Sequence, residues 1–155
     1  MENFRTCGKL VKKTYSASET VKFGEEFAAG LTDDNLFLWG ELGAGKTTFL
    51  KGLGKGLGIN SPVVSPTFQL VRNYRGPAGQ RSLIHIDLYR LSSLQEIMHL
   101  GWDDMLESSV PAAVEWADRA KQLWPEKGIF IKFTHISPDE REIDIYREKK
   151  DIPGI

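Results

Sequence analysis

Gly40-Glu41-Leu42-Gly43-Ala44-Gly45-Lys46-Thr47 is a Gly-x-x-x-x-Gly-Lys-Thr run, and its two flanks decide how the chain folds. Before it stands Leu36-Phe37-Leu38-Trp39, apolar without alternation, the pattern of a parallel strand buried on both faces. After it, Leu50, Leu53 and Leu57 recur at i, i+3 and i+7 and predict an amphipathic helix over 46–57. A strand, a glycine-rich turn and a helix in that order form a phosphate-binding loop. Its glycines let backbone N–H groups wrap an anion without interference from Cβ atoms, and the helix N-terminus faces the same anion. Glu41, Leu42, Gly43, Ala44, Gly45, Lys46, Thr47 and Thr48 are therefore expected to surround the phosphates of ATP. Lys46 would meet the β- and γ-phosphate oxygens and Thr47 a Mg2+ ion. Gly52, Gly54 and Gly56 disagree with the helix by about 1 kcal/mol each relative to alanine, and close packing is the one reason the sequence offers for them.

A chain of 155 residues with 41% hydrophobic and 26% charged residues has the make-up of one globular domain, expected over residues 1–155 with 151–155 as tail. Twenty basic residues against 21 acidic ones give a formal net charge of -1. That balance gives no global electrostatic reason for direct binding to nucleic acid or to a membrane. Cys7 is the only cysteine and closes no disulfide within the chain, which fits a reducing, cytoplasmic setting. Glu2, Arg5, Lys9, Lys12 and Lys13 break up the N-terminal stretch, so no signal peptide is expected there.

Strand-like and helix-like stretches alternate along the rest of the chain, which points to an α/β fold. A strand over 10–15 leads into Ser16 and Glu19 at capping-box spacing, then a helix with Val21, Phe27, Ala28 and Leu31 on one stripe, closing at Gly30. Residues 67–74 and 82–91 read as an antiparallel hairpin, with Ile84, Ile86 and Leu88 on one face and His85, Asp87 and Tyr89 on the other. Leu94, Ile97 and Met98 suggest a short helix closed by Gly101, and 110–114 a second buried strand ending on Glu115. A last hairpin joins 129–136 to 142–146. The expectation is a P-loop NTPase-like sheet with parallel core strands, antiparallel hairpin additions and flanking helices.

Hydrolysis needs a carboxylate near the phosphates, and in an open α/β sheet it comes from the carboxyl end of a neighbouring strand. Asp87 and Glu115 are the candidates, with a solvated strand face as the alternative for Asp87 and a strand-to-loop junction for Glu115. His85 and His135 stand outside any Cys/His cluster and read as packing or surface residues. Trp39, Trp102, Trp116 and Trp124 read as core packing. Arg72, Arg75, Arg81 and Arg90 straddle the first hairpin as a solvated edge that deters strand pairing. No arginine finger or water-orienting glutamine is evident, with Arg90 and Gln69 left open.

Four ordered motifs, Gly40 to Thr48, Ser65-Pro66-Thr67-Phe68, His85-Ile86-Asp87-Leu88-Tyr89-Arg90 and Val114-Glu115-Trp116, resemble those of the bacterial TsaE (YjeE) family of small ATPases over about residues 16–141. The resemblance implies an ATPase needed for threonylcarbamoyladenosine (t6A) modification of tRNAs that read ANN codons. It implies that Thr47 and Glu115 hold Mg2+, that Asp87 is required for hydrolysis, and that Ser65, Pro66 and Thr67 form a nucleotide-sensing switch. Arg141 stands where the family often has Gly-Arg-Glu and would pack against adenine, although Asp139 and Glu140 depart from that pattern. Ser16 falls near the family's adenine-side segment, with helix capping as its other explanation. The implied partner is the heterodimeric threonylcarbamoyl-transfer complex, so tRNA is met only indirectly. A small-molecule P-loop kinase, and a nucleotide switch whose hydrolysis is incidental, are the other readings open to this sequence.

Overall fold

The computed structural model describes residues 8–66, 68–78 and 82–155. The chain runs β1 (Lys9–Thr14), α1 (Ala17–Ala29), β2 (Leu36–Gly40), α2 (Lys46–Gly56), β3 (Val71–Tyr74), β4 (Leu83–Asp87), α3 (Leu94–His99), α4 (Trp102–Leu106), β5 (Ala112–Glu115), β6 (Lys127–His135) and β7 (Arg141–Glu148). These strands form one seven-stranded sheet in the order β1-β7-β6-β2-β5-β4-β3. β6, β2, β5 and β4 run parallel to their neighbours in this central part, whereas β3 joins β4, and β7 joins β6 and β1, in antiparallel fashion. The parallel core with hairpin additions is thus as the sequence predicts.

Period-two alternation sends each strand's side chains to two separate cores. Leu36 and Leu38 face α1 and α2 and pack with Phe23, Phe27, Phe49, Leu50 and Leu53. Phe37 and Trp39 face the opposite way, toward Trp102, Trp124 and Phe130. Because both faces of β2 are covered, all four of its apolar residues are buried, and each contributes on the order of 2 kcal/mol or more of burial free energy. Leu83 and Tyr74 belong to the α1/α2 side, and Ile84, Ile86 and Leu88 to the other. His85 and Asp87 are buried at 0% and 8% exposure, so their face of the strand is not the solvated one weighed for Asp87.

The helix glycines find their explanation at the contact of α1 with α2. A Cβ on Gly52 would overlap the Val21 carbonyl oxygen, one on Gly24 would lie 2.9 Å from the Leu53 nitrogen, and one on Gly56 would strike the Glu25 carbonyl. A Cβ on Gly54 would instead crowd the Val63 side chain outside that contact. The two backbones touch where side chains ordinarily keep helices 8–10 Å apart. Gly52→Ala is expected to destabilise the protein by about 1–3 kcal/mol through overpacking, against alanine's higher intrinsic helix propensity. A denaturant melt checks this, and a neutral or stabilising effect would remove the close seat.

Three expectations change in detail. Among the described residues the first hairpin is shorter than 67–74 and 82–91, with Val71–Tyr74 pairing with residues 83–86, and Thr67 lies outside the described residues. α4 and a 3-10 helix at Ala117–Leu123, five and seven residues long, are additions to the elements expected from the sequence. The tail starts later than residue 151: a short 3-10 turn at Lys149–Asp151 brings Ile152 into the second core, where it is buried. Among the described residues no helix is long and apolar enough to cross a membrane.

Candidate functional site

The loop between β2 and α2 turns on glycines at positive φ, 77° at Gly43 and 104° at Gly45, a region other residues enter only under strain. Gly45 caps α2 without a side chain, so the helix N-terminus opens onto the loop with its first N–H groups unclaimed by the helix. Lys46 folds back over this loop. Its Nζ donates to the carbonyl oxygens of Gly40 and Glu41, both at 2.8 Å, and lies 4.2 Å above the centre of the Trp116 ring. Burial pulls the Lys46 ammonium below the ordinary lysine range, while Glu115, Asp118 and Asp87 pull it upward.

Parallel pairing then brings the two acids to the same edge. β5 lies beside β2 with Glu115 opposite Leu38, and β4 lies beside β5 with Asp87 opposite Glu115. Both carboxylates emerge at the carboxyl ends of central strands, where α/β sheets present ligand sites. Glu115, 2% exposed, accepts a hydrogen bond from the Thr47 hydroxyl at 2.6 Å through Oε1 and from His85 Nε2 at 2.7 Å through Oε2. Asp87 accepts from the Ser65 hydroxyl through Oδ2 and from the Tyr89 backbone at 2.8 Å through Oδ1.

Lys46, Thr47, Thr48, Ser65, Asp87 and Glu115 all line one cleft of about 290 Å³. Its donors near Thr47 are hydroxyl and carboxylate oxygens, the hard ligands that suit Mg2+. Among the described residues no group of three or more His, Cys, Asp or Glu side chains gathers as a metal cage. Mg2+ held together with phosphates takes only one or two protein carboxylates, so Thr47 and Glu115 fit such an ion.

A second, smaller groove of about 110 Å³ opens on the other side of the loop, lined by Ser16, Thr20, Gly45, Thr48 and Arg141 among others. Ser16 caps α1, accepting from the Glu19 backbone at 3.1 Å, and stands at this groove as well. Arg141 donates to the Gly43 carbonyl at 3.2 Å and to the Ser137 carbonyl at 2.7 Å, tying the glycine loop to the β6–β7 turn. The structure thus places Ser16 and Arg141 together, apart from the two acids, with Gly43, Gly45 and Thr48 shared between the grooves.

The remaining residues of the expected site divide between the cleft and the loop beneath it. Leu42 stands at the cleft rim, 75% exposed, and Pro66 lines the cleft. Glu41 gives its carbonyl to Lys46 and to the Ala44 backbone, and the Ala44 side chain is fully buried. Sequence reading gave no site role to Trp116, Tyr89 or Leu70, which line the cleft. Trp116 and Leu70 sit at left-handed φ of 57° and 61°, strained for residues of their kind. Tyr89 and Trp116 rings lie 4.9 Å apart. Arg90, exposed as a solvated residue would be, also lines the cleft, with its guanidinium 4.6 Å from the Phe68 ring centre. Tyr89, Arg90 and Trp116 are signalled in the sequence by their places in the motifs around Asp87 and Glu115, and Arg90 also as a residue left open for an arginine finger.

A family model described as "Threonylcarbamoyl adenosine biosynthesis protein TsaE" matches residues 14–143. The tRNA threonylcarbamoyladenosine biosynthesis protein TsaE of Treponema pallidum is 34% identical over 131 residues, covering 84% of this chain and 95% of the relative. Its Bacillus subtilis counterpart is 38% identical over 136 residues, covering 87% and 84% respectively. The crystal structure of Bacillus subtilis YdiB superposes with a TM-score of 0.71 at 33% identity, over 92% of this chain and 87% of that one.

Proposed function

This chain belongs to the TsaE family of threonylcarbamoyl adenosine biosynthesis proteins, and from that premise we propose that it binds ATP with Mg2+ in the main cleft and hydrolyses it, slowly when alone. Hydrolysis acts on the heterodimeric protein complex that transfers the threonylcarbamoyl group to ANN-decoding tRNAs, in the cytoplasm. The observation that carries this reading is the bond from Thr47 to Glu115 beside Lys46, which joins the P-loop to an acid of the neighbouring strand. A near-neutral net charge of -1 agrees with a protein partner, since tight RNA binding rests on neutralising many phosphates.

Each residue then has a task. The N–H groups around Gly43 to Thr48 and the α2 N-terminus receive the phosphates. Lys46 exchanges its two carbonyl acceptors for phosphate oxygens, a stronger charge-assisted pairing. Thr47 and Glu115 hold Mg2+, which when bound offsets the charge that develops on the phosphate oxygens. Asp87 orients the attacking water and receives its proton. Ser65, hydrogen-bonded to Asp87, makes the 65–67 switch responsive to the γ-phosphate. Ser16 and Arg141 bound the adenine side.

Binding to the purified transfer complex is expected to be about tenfold tighter with a non-hydrolysable ATP analogue than with ADP, a coupling of roughly 1.4 kcal/mol, within the usual range for linked sites. Calorimetry with each nucleotide measures it, and phosphate release with and without the complex measures the converse. Equal affinity with both nucleotides, together with unchanged release, would overturn the coupled-ATPase reading.

A further inference from the structure

His85 is buried with no exposed surface, carries a titratable ring, and has no task in the reading above. β4 and β5 are parallel with His85 opposite Ala113 and Asp87 opposite Glu115, so His85 is the diagonal neighbour of Glu115 on the same sheet face. Its Nε2 meets Glu115 Oε2 at 2.7 Å, and since a carboxylate only accepts, Nε2 carries the proton. Nδ1 is buried and has no hydrogen-bond partner among the described residues. A histidine kept for packing would satisfy both ring nitrogens or be replaced by an apolar side chain, because a buried unsatisfied polar atom is costly. The ring is aimed instead at one carboxylate oxygen, with the Tyr74 ring centre 6.4 Å from its own.

We propose that His85 is a positioning residue for Glu115: by holding Oε2 from behind, it fixes the carboxylate so that Oε1 stays turned to Thr47, where the divalent cation is coordinated. This rests on the reading of Glu115 as a Mg2+ ligand. A carboxylate has several rotamers and two equivalent oxygens, so a ligand tethered at Thr47 alone would swing once Thr47 turned its oxygen toward the ion. With Oε2 tied to a ring that is itself immobilised in the core, one oxygen is committed to the protein and the other to the metal. Partners that orient a ligand in this way change metal affinity about 10–100-fold when removed.

The test compares His85→Leu, which fills similar volume without a donor, with His85→Gln, whose amide nitrogen reaches about as far as Nε2. Binding of a fluorescent ATP analogue is followed across a Mg2+ titration and again in EDTA, beside a thermal melt. His85→Leu is expected to raise the Mg2+ midpoint about tenfold, leave affinity in EDTA within about twofold, and be rescued by His85→Gln. If His85→Leu fails to fold, His85→Asn, whose shorter amide cannot reach Oε2, takes its place. Equal losses with and without Mg2+, or no rescue by His85→Gln, would overturn the positioning role. Glu115→Gln is measured alongside: an unchanged midpoint in His85→Leu beside a raised one in Glu115→Gln sinks His85 alone, whereas unchanged midpoints in both sink the metal reading and His85 with it.

Discussion

Lys46→Ala is expected to weaken ATP binding about a hundred-fold while the protein stays folded. The substitution deletes the cation nearest the expected β- and γ-phosphates, and two hydrogen bonds to a charged group contribute about 1.5–3 kcal/mol each, so a hundred-fold loss, near 2.7 kcal/mol, is a conservative figure. Folding suffers less. The lysine's bonds go to Gly40 and Glu41 carbonyls in the loop, which water can serve in its absence, and burial already disfavours its charge. Titration with a fluorescent ATP analogue and a melt of the same sample check both halves. Affinity within threefold of the parent in a folded variant would remove Lys46 from the phosphate site.

Glu115→Ala is expected to lower the rate of Mg2+-dependent hydrolysis by about 10²–10³, the usual cost of losing one group that stabilises transition-state charge. Its structural cost differs in kind. Removing the carboxylate strands the buried His85 Nε2–H, and a buried donor left without a partner costs about 1–3 kcal/mol, whereas the part-buried Thr47 hydroxyl can turn to water in the cleft. Rates are therefore compared per folded molecule, across a Mg2+ titration at a temperature where both proteins are native by melt. A parent-like rate per folded molecule would return Glu115 to a purely structural role.

What could be read in advance follows physical range. Leu36 to Trp39 and the Gly-Lys-Thr turn declare themselves because strand burial, turn geometry and phosphate binding are all local demands on consecutive residues. Ser16 and Gly30 mark the ends of α1 for the same reason. Pairings between distant segments leave weaker traces: nothing in His85 shows that it meets a carboxylate thirty positions on, because only the parallel register of β4 and β5 creates that contact. Trp116 looks like ordinary packing, and Arg90 like a solvated cation with a finger role left open, until the ends of β4 and β5 carry them to the cleft. Gly52 and Gly56 look like defects because their partners, Val21 and Glu25, lie on another helix, and Gly54 because its partner Val63 lies beyond the helix end.

The backbone contact between α1 and α2 has a mechanical consequence. Helices separated by side chains can shear past each other by small rotamer changes, the sliding by which many domains adjust to ligands. Helices seated carbonyl to glycine lack that compliance, because a displacement of an ångström along either axis drives peptide groups into one another. α2 and the glycine loop that leads into it are thus bolted to α1, so that under the proposed function any response to a γ-phosphate would fall to parts held by exchangeable side-chain bonds, such as Ser65 on Asp87. The anvil stays still, and the partner would sense the nucleotide through what rests against it.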